Sequence, residues 1–356
     1  MEKERKPKSG KRITLIVLCV VLSVILLAVI GVTAYVEGLL GKMNRDIDSL
    51  HETMSESEYN QLLEEEEATA TGDTTEFTGE EMEATDVVWD EETLLAQGES
   101  VINILLIGQD RRPGQTKNAR SDAMILVTIN KVTKKITLSS FMRDMYVQIP
   151  GKKDNRINAS YAMGGISLLN STIQKNFGVT VDGNVVVDFA GFMDAIDIIG
   201  GVDVEMTARE AEYLNTTTYK DQEHWKTGLV EGMNHLDANQ ALAYARIRKI
   251  SGGDFGRTGR QRKVIMAMMD KIRTMSVVEL NNLLNELLPL ITTDLTDAEI
   301  LGYAVELLPI LQYLTVESQQ IPAKNAYKSA MIDGKSVLVP NLKKNKEILQ
   351  QIMATE

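Results

Sequence analysis

Two short runs concentrate cationic side chains: Tyr244-Ala-Arg246-Ile-Arg248 and, a few residues on, Asp254-Phe-Gly256-Arg257-Thr-Gly-Arg260-Gln261. Arg246 and Arg248 flank an apolar isoleucine, so on a strand both guanidiniums leave by one face. Arg257, Arg260 and Gln261 are spaced i, i+3, i+4 and share one face of a helix, opened by Gly256 and preceded by Asp254. Four forked cations converging across one loop suit a polyphosphate, because each guanidinium matches phosphate oxygens bidentately. A solvated, salt-bridged surface is the competing reading. It accounts for one arginine pair better than for four arginines and a glutamine around two glycines.

Earlier in the chain, Gly108-Gln-Asp110-Arg-Arg follows one apolar run, Arg120-Ser-Asp122 leads into a second, and Arg143-Asp144 follows a third. Polar residues just past an apolar strand sit at its end, where open α/β sheets bind ligands. The two carboxylates could simply pair with the arginines. Beside a pyrophosphate they could hold Mg2+, which takes one or two carboxylates plus phosphate oxygens. Arg120 and Asp122, two apart, share one face of an extended segment. Together these fragments put Asp, Arg and Gln at several strand and helix ends, as an electrostatically organised phosphoryl-transfer site requires.

The elements that must position these residues follow from apolar patterning. Val101 to Ile107, Ala123 to Ile129 and Lys135 to Phe141 read as buried strands, and Val185 to Val187 is strand-like. Residues 157–177, Gly191 to Ile199 (ending at Gly200-Gly201) and Gly259 to Met275 read as helices, with Asn239 to Ala245 a short helix or turn. Thr296-Asp-Ala-Glu299 is a capping box opening a helix to Leu311. The alternation implies one α/β domain, a central sheet flanked by helices on both faces. There is no internal repeat, Walker loop or dinucleotide fingerprint.

The charge of −12 is unevenly spread over the 356 residues. Residues 1–12 hold six Lys/Arg against two Glu, whereas residues 37–100 hold twenty Asp/Glu against two Lys/Arg. The rest is close to neutral with clustered positive charge. Without a basic stripe and with only 5% aromatic residues, nucleic acid is not an expected partner. The one cysteine, Cys19, lies in an apolar run, which excludes a disulfide, a zinc cluster or a thiol nucleophile outside it. His51, His224 and His235 have no metal-ligand spacing.

Ile13 to Val36 is free of charge and long enough to span a bilayer. The basic residues before it and the acidic ones after it place residues 1–12 in the cytoplasm, residues 13–36 in the plasma membrane and the remainder outside. Val32-Thr-Ala34 resembles a cleavage site, but the run is long for a signal peptide, so a retained signal-anchor is expected. Residues 37–86 read as an acidic juxtamembrane helix and disordered linker, with 55–85 a spacer. Leu40, Met43, Ile47, Leu50 and Met54 repeat at 3, 4, 3, 4, a seam through which residues 40–54 could form a weak homodimer. The external domain is expected over residues 87–356.

These residues carry a resemblance. The chain resembles the LytR-CpsA-Psr family of cell-envelope transferases in Ile104-Leu-Leu-Ile-Gly108-Gln-Asp110-Arg, Arg120-Ser-Asp122-Ala-Met-Ile-Leu, Ser139-Ser-Phe-Met-Arg143-Asp-Met-Tyr146-Val, Arg156-Ile-Asn158-Ala-Ser-Tyr161, Gly200-Gly-Val202, Gln240-Ala-Leu-Ala-Tyr244-Ala-Arg246-Ile-Arg248, the Asp254 to Gln261 run and Ser336-Val-Leu-Val-Pro340-Asn-Leu. They stand in family order over roughly residues 87–345. Met142 stands where the family commonly has Pro and Ala238 where Gly is common. Proline restricts the residue before it, so a looser exit from the third strand is expected here.

The resemblance implies a phosphotransferase that moves a glycopolymer (teichoic acid, capsule or another secondary polysaccharide) from a polyprenyl-pyrophosphate carrier to peptidoglycan, forming a phosphodiester. It implies Asp110 and Asp122 as ligands of Mg2+, with Mn2+ as an alternative. Arg120, Arg143, Arg246, Arg248, Arg257 and Gln261 become the pyrophosphate-binding set, with Arg260 beside them, and Arg143, Asp122 and Asp110 the catalytic residues. It also implies an apolar tunnel for the lipid, with apolar residues of 157–199 and 263–311 as candidates for its walls. Asp144 and Asp254 are candidates for the base on position. The alternatives are a hydrolase of polyprenyl-pyrophosphate lipids and a non-catalytic envelope receptor or regulator that binds them.

Overall fold

The computed structural model describes residues 33–45, 53–61, 79–109, 121–216, 228–247, 250 and 253–355. Among them the strands are β1 (Glu80–Glu81), β2 (Val101–Gln109), β3 (Ser121–Asn130), β4 (Lys135–Phe141), β5 (Tyr146–Val147), β6 (Asn155–Arg156), β7 (Gly183–Asp188), β8 (Val202–Met206), β9 (Gly232–Leu236), β10 (Thr292–Thr293), β11 (Thr315–Ile321), β12 (Tyr327–Ile332) and β13 (Lys335–Pro340). The main helices are α1 (Ile157–Phe177), α2 (Phe189–Ile198), α3 (Ala208–Thr216), α4 (Ala238–Arg246), α5 (Gly253–Arg273), α6 (Val277–Leu287), α7 (Asp297–Leu307) and α8 (Leu342–Met353).

The central sheet has the order β10-β7-β2-β3-β4-β11. β3 runs antiparallel to both β2 and β4, whereas β7 is parallel to β2 and β11 parallel to β4. Because side chains alternate across a strand, β2 divides its residues between the two faces. Val101, Leu105 and Ile107 join Met124, Leu126 and Phe141 beneath α1 and α8, in a core that includes Leu169, Ile173 and Leu349. Leu105 is fully buried there, worth about 1.5–3 kcal/mol relative to exposure. The opposite face packs Ile125, Ile136 and Leu138 against Ile265, Met266 and Met269 of α5. A separate core joins α2, α4, α5 and α6 to the β8–β9 hairpin, through Ile196, Val204, Leu236, Tyr244, Val264 and Leu283. The expected α/β architecture, a central sheet flanked by helices, is therefore present.

Local chemistry sets the element ends. Asp188 caps α2 by accepting from the Gly191 amide at 2.8 Å, and Gly200 and Gly201 end it at φ 73° and 81°, where L side chains are strained. Asp237 and Gln240 form a reciprocal capping box that starts α4. The capping box of Thr296 and Glu299 opens α7 as expected. That helix stops at Leu307, and residues Leu308–Tyr313 continue as a tighter turn around Pro309. α1 is kinked at Gly164-Gly165, with Gly165 at φ 61°.

Four expectations are corrected. Arg246 is not on a strand: it closes α4, because the Asp237 capping box nucleates helix through the whole segment. α5 begins at Gly253, a turn and a half before the expected Gly259. Residues 55–85 are not a spacer throughout. Tyr59 is fully buried in the main core and donates to Asn158 Oδ1 at 2.8 Å, and β1 adds to the β12–β13 hairpin. Nor is the seam at Leu40 and Met43 free for a second copy: both are buried against the chain's own domain. Asn44 pairs with Thr292, Lys42 Nζ donates to Asn285 Oδ1 at 2.5 Å, and Arg45 pairs with Asp297.

Among the described residues no helix is long and apolar enough to cross a membrane. Residues 13–32, most of the expected anchor, lie outside them.

Candidate functional site

On the α5 side of the sheet the packing leaves a cavity of about 310 Å3. Its floor is Leu106 and Gly108 of β2, Ala123 and Ile125 of β3, and Val185 and Val187 of β7; α2, α4, α5 and the segment 287–291 wall it. The small residues matter. A Cβ on Gly108 would stand 3.0 Å from that of Ala123, so the β2–β3 floor is already at its closest approach.

The lining is apolar except at Asp188, Arg246 and Gln261. Asp188 stands where β2 and β7 end, with Arg246 over the next residue, Phe189, and a bulge between Gly108 and Gln109 breaks the regular pairing there. Ile272, Leu287, Leu290 and Ile291 line the cavity beyond. From Gln261 to Ile272 the helix rises about 16 Å, so the cavity is long, with a polar mouth and a hydrocarbon-like body. The cavity draws on only part of the segments expected to wall a tunnel. Residues 187–195 and 265–291 contribute, but α1 does not, because its apolar side fills the core on the far face of the sheet.

Arg246 and Gln261 both line the cavity, with the Arg246 guanidinium 4.7 Å above the Phe189 ring. Arg143 follows β4, and its Nε lies 3.6 Å from Asp144 Oδ2. The other Asp144 oxygen is 3.7 Å from Arg156 Nε, so one carboxylate orients two guanidiniums. Thr258 donates to the Met142 sulfur at 3.4 Å, which ties the first turns of α5, including the buried Arg257, to the exit of β4. That exit is not looser for having methionine in place of proline. The Met142 amide, which proline lacks, donates to the Ile321 carbonyl at 2.7 Å.

Arg260 is placed elsewhere. It does not line the cavity: it donates to Glu210 Oε1 at 3.2 Å and to the Ile247 carbonyl at 2.7 Å. Burial alone would raise the Glu210 carboxyl, but hydrogen bonds from Thr207 and Arg260 outweigh it and hold it below its usual range. Burial pushes the neighbouring Tyr244 phenol up, and Glu210 adds to that.

Asp110, Arg120 and Arg248 lie outside the described residues. Asp122 is the second residue of β3, and its side chain is likewise outside the description. Asp254 falls in the first turn of α5, again without a described side chain. Among the described residues no group of three or more His, Cys, Asp or Glu is arranged to hold a metal.

Sequence reasoning missed Asp188, Arg156 and Glu210. Asp188 follows the Val185–Val187 run as Asp110 follows β2, so the strand-end argument would have found it. Nothing local signals that Glu210 meets Arg260.

Residues 53–354 match the LytR_cpsA_psr family. The regulatory protein MsrR of Staphylococcus aureus is 30% identical over 257 residues, 71% of this chain and 74% of that protein. The polyisoprenyl-teichoic acid–peptidoglycan teichoic acid transferase TagU of Bacillus cereus is 36% identical over 188 residues, 52% of this chain and 57% of that protein. Among solved structures, TagT bound to LI-WTA aligns at a TM-score of 0.58 and 29% identity, covering 72% of this chain and 92% of that one. The family protein YwtF (TagT) with bound octaprenyl pyrophosphate lipid aligns at 0.54 and 27%, covering 72% and 91%.

Proposed function

The chain belongs to the LytR-CpsA-Psr family, and on that premise we propose that it transfers a glycopolymer from a polyprenyl-pyrophosphate carrier to peptidoglycan, outside the plasma membrane. The observation that carries this reading is the cavity: a long apolar body opening at a mouth that holds Arg246 and Gln261. Such a shape suits a hydrocarbon chain with an anionic head. The names of the relatives support the same class, a teichoic acid transferase and a homologue holding octaprenyl pyrophosphate.

In this reading the polyprenyl chain lies along α5 and the pyrophosphate rests at the strand ends. Arg246, Gln261, Arg257 and Arg143 receive it there, together with Arg120 and Arg248. Asp144 holds Arg143 in place. An acceptor hydroxyl attacks the sugar-linked phosphorus. The new P–O bond forms as the bond to the polyprenyl phosphate oxygen breaks, and the arginines stabilise the charge on that leaving group. The hydroxyl proton passes to a base, for which Asp254, three residues before Arg257, and Asp144, next to Arg143, are the candidates. The phosphoanhydride supplies the driving force, so no nucleotide is needed.

Asp110 and Asp122 fit a divalent ion by donor type, because β3 begins at the polar mouth, with Ser121 buried and Ala123 in the cavity floor. Asp110 and Asp122 would hold Mg2+ there, and the ion would supply positive charge against the pyrophosphate. Residues 1–36 serve as a basic cytoplasmic tail and membrane anchor.

A receptor or regulator that binds such lipids without turnover is the second reading, favoured by the name of the MsrR relatives. The test uses the full chain in lipid nanodiscs with a synthetic polyprenyl-pyrophosphate glycan and a peptidoglycan oligomer. Mass spectrometry of the acceptor decides. Glycan phosphate joined to the acceptor, lost in Arg246→Ala and Asp122→Ala, supports the transferase. Free glycan phosphate alone means hydrolysis, and binding without either product means a receptor.

A further inference from the structure

A second concavity, of about 410 Å3, lies where residues 53–61, the β5–β6 hairpin and the turn between β12 and β13 meet. It shares no lining residue with the lipid cavity. Its size is within the range of about 300–1,000 Å3 typical of small-ligand sites.

Tyr146 is the informative residue. It is 3% exposed, its ring stacks on Trp89 at 6.0 Å, and its hydroxyl has no hydrogen-bond partner among the described residues. A buried hydroxyl without a partner is costly and calls for an explanation. Around it stand Asn60, Asp154 and Lys335, with Lys335 Nζ donating to Asn60 Oδ1 at 2.8 Å. Burial lowers the Lys335 amine, and it pushes the Tyr146 phenol up to about 12, with Asp154 and Asp333 adding to the second shift. The carboxylates Glu56, Asp154 and Asp333 are set against the amines Lys153 and Lys335. That near balance is wrong for a phosphate and right for a neutral molecule rich in hydroxyls and amides.

The position narrows the choice. Arg156 adjoins Asn155 of the cleft and donates to the Ser336 carbonyl, next to Lys335, at 2.8 Å. Its Nε faces Asp144, which in turn faces Arg143. The cleft wall is thus two ion pairs from the proposed phosphate site.

We propose that this cleft binds a sugar ring of a glycan substrate, with the Tyr146 hydroxyl, Asn60 and Lys335 bonding its hydroxyl and amide groups. The proposal rests on the glycan-transfer reading above. Two glycans meet in that reaction, the acceptor and the polymer being moved.

The test titrates the full chain in nanodiscs with a soluble peptidoglycan tetrasaccharide and, separately, with lipid-free donor glycan, by calorimetry. Tyr146→Phe removes only the orphan hydroxyl and is expected to fold with an unchanged or higher Tm. It should bind the saccharide about tenfold more weakly, the loss of roughly one buried hydrogen bond. Asn60→Ala, at the rim, should do the same. Whichever glycan loses affinity in both variants identifies the source. Binding of neither glycan, or binding equal in wild type and both variants, would overturn the proposal. Octaprenyl pyrophosphate binding is measured alongside. Its absence with saccharide binding intact would sink the lipid reading and leave the cleft standing.

Discussion

Arg260 and Glu210 form a buried ion pair at 3.2 Å, and the same guanidinium holds the Ile247 carbonyl just past the end of α4. The pair therefore fixes the residue after Arg246. It joins α3, α5 and the end of α4. Arg260 is in this sense a positioning residue.

Arg260→Ala is expected to lower stability by about 3–5 kcal/mol, because it leaves a buried carboxylate uncompensated. Glu210→Gln should cost less and change the pH dependence. The folded-state carboxyl of Glu210 lies below its ordinary value of 4.5. Its contribution is therefore present above that pH and is lost as pH falls through the lower, folded-state value. Urea melts from pH 6 down to pH 3 should show a shallower acid decline in Glu210→Gln than in wild type. Equal slopes would contradict the assignment.

Arg246→Ala should leave stability nearly unchanged, since its side chain is exposed at the close of α4. Turnover should fall by about 100- to 1,000-fold, the usual cost of removing one donor to a developing negative charge. Arg246→Lys should recover only part, because lysine keeps the charge but not the fork. The Tm and kcat/KM of both variants, measured beside Arg260→Ala, separate a phosphate contact from a structural one.

Ala195 lies in the cavity wall on α2. Ala195→Phe should fill the body without touching the mouth. The expected outcome is a Tm within a few degrees of wild type and a large rise in KM for a long polyprenyl donor. A donor with a chain of two isoprene units should be much less affected. Equal loss for both chain lengths would mean that the cavity does not hold the lipid.

Tyr59 bears on where the domain begins. A fragment starting at residue 87 lacks this buried side chain and its bond to Asn158. It should be less stable by about 3–5 kcal/mol than one starting at residue 53, comparable to truncating a buried aromatic residue. Denaturant midpoints of the two fragments check this.

The strands and the α5 helix were legible because apolar runs such as Val101 to Ile107 have one physical explanation. The cap at Thr296 is local chemistry and equally open to reading, whereas the spacing of Arg246 and Arg248 about an isoleucine fits a strand as well as the close of a helix, which the Asp237 capping box decides. The burial of Tyr59 was not legible. An acidic, weakly apolar stretch looks unable to fold, and its partner Asn158 stands far away in sequence. For the same reason Arg260 looked like a phosphate ligand: i, i+3, i+4 spacing states which residues share a helix side, not which of them meets a carboxylate from another helix.

The alternation along β2 has a further consequence. Leu105 enters the filled core and Leu106 the cavity floor, so a one-residue slip against β3 would exchange the two sets. Large side chains would then block the hollow, and Gly108 would open a void on the solid side. Misregistered molecules would lose both tight packing and the binding space at once. Selection for a folded chain is thereby also selection for an open one, and a partly active, misregistered form has no place in this design.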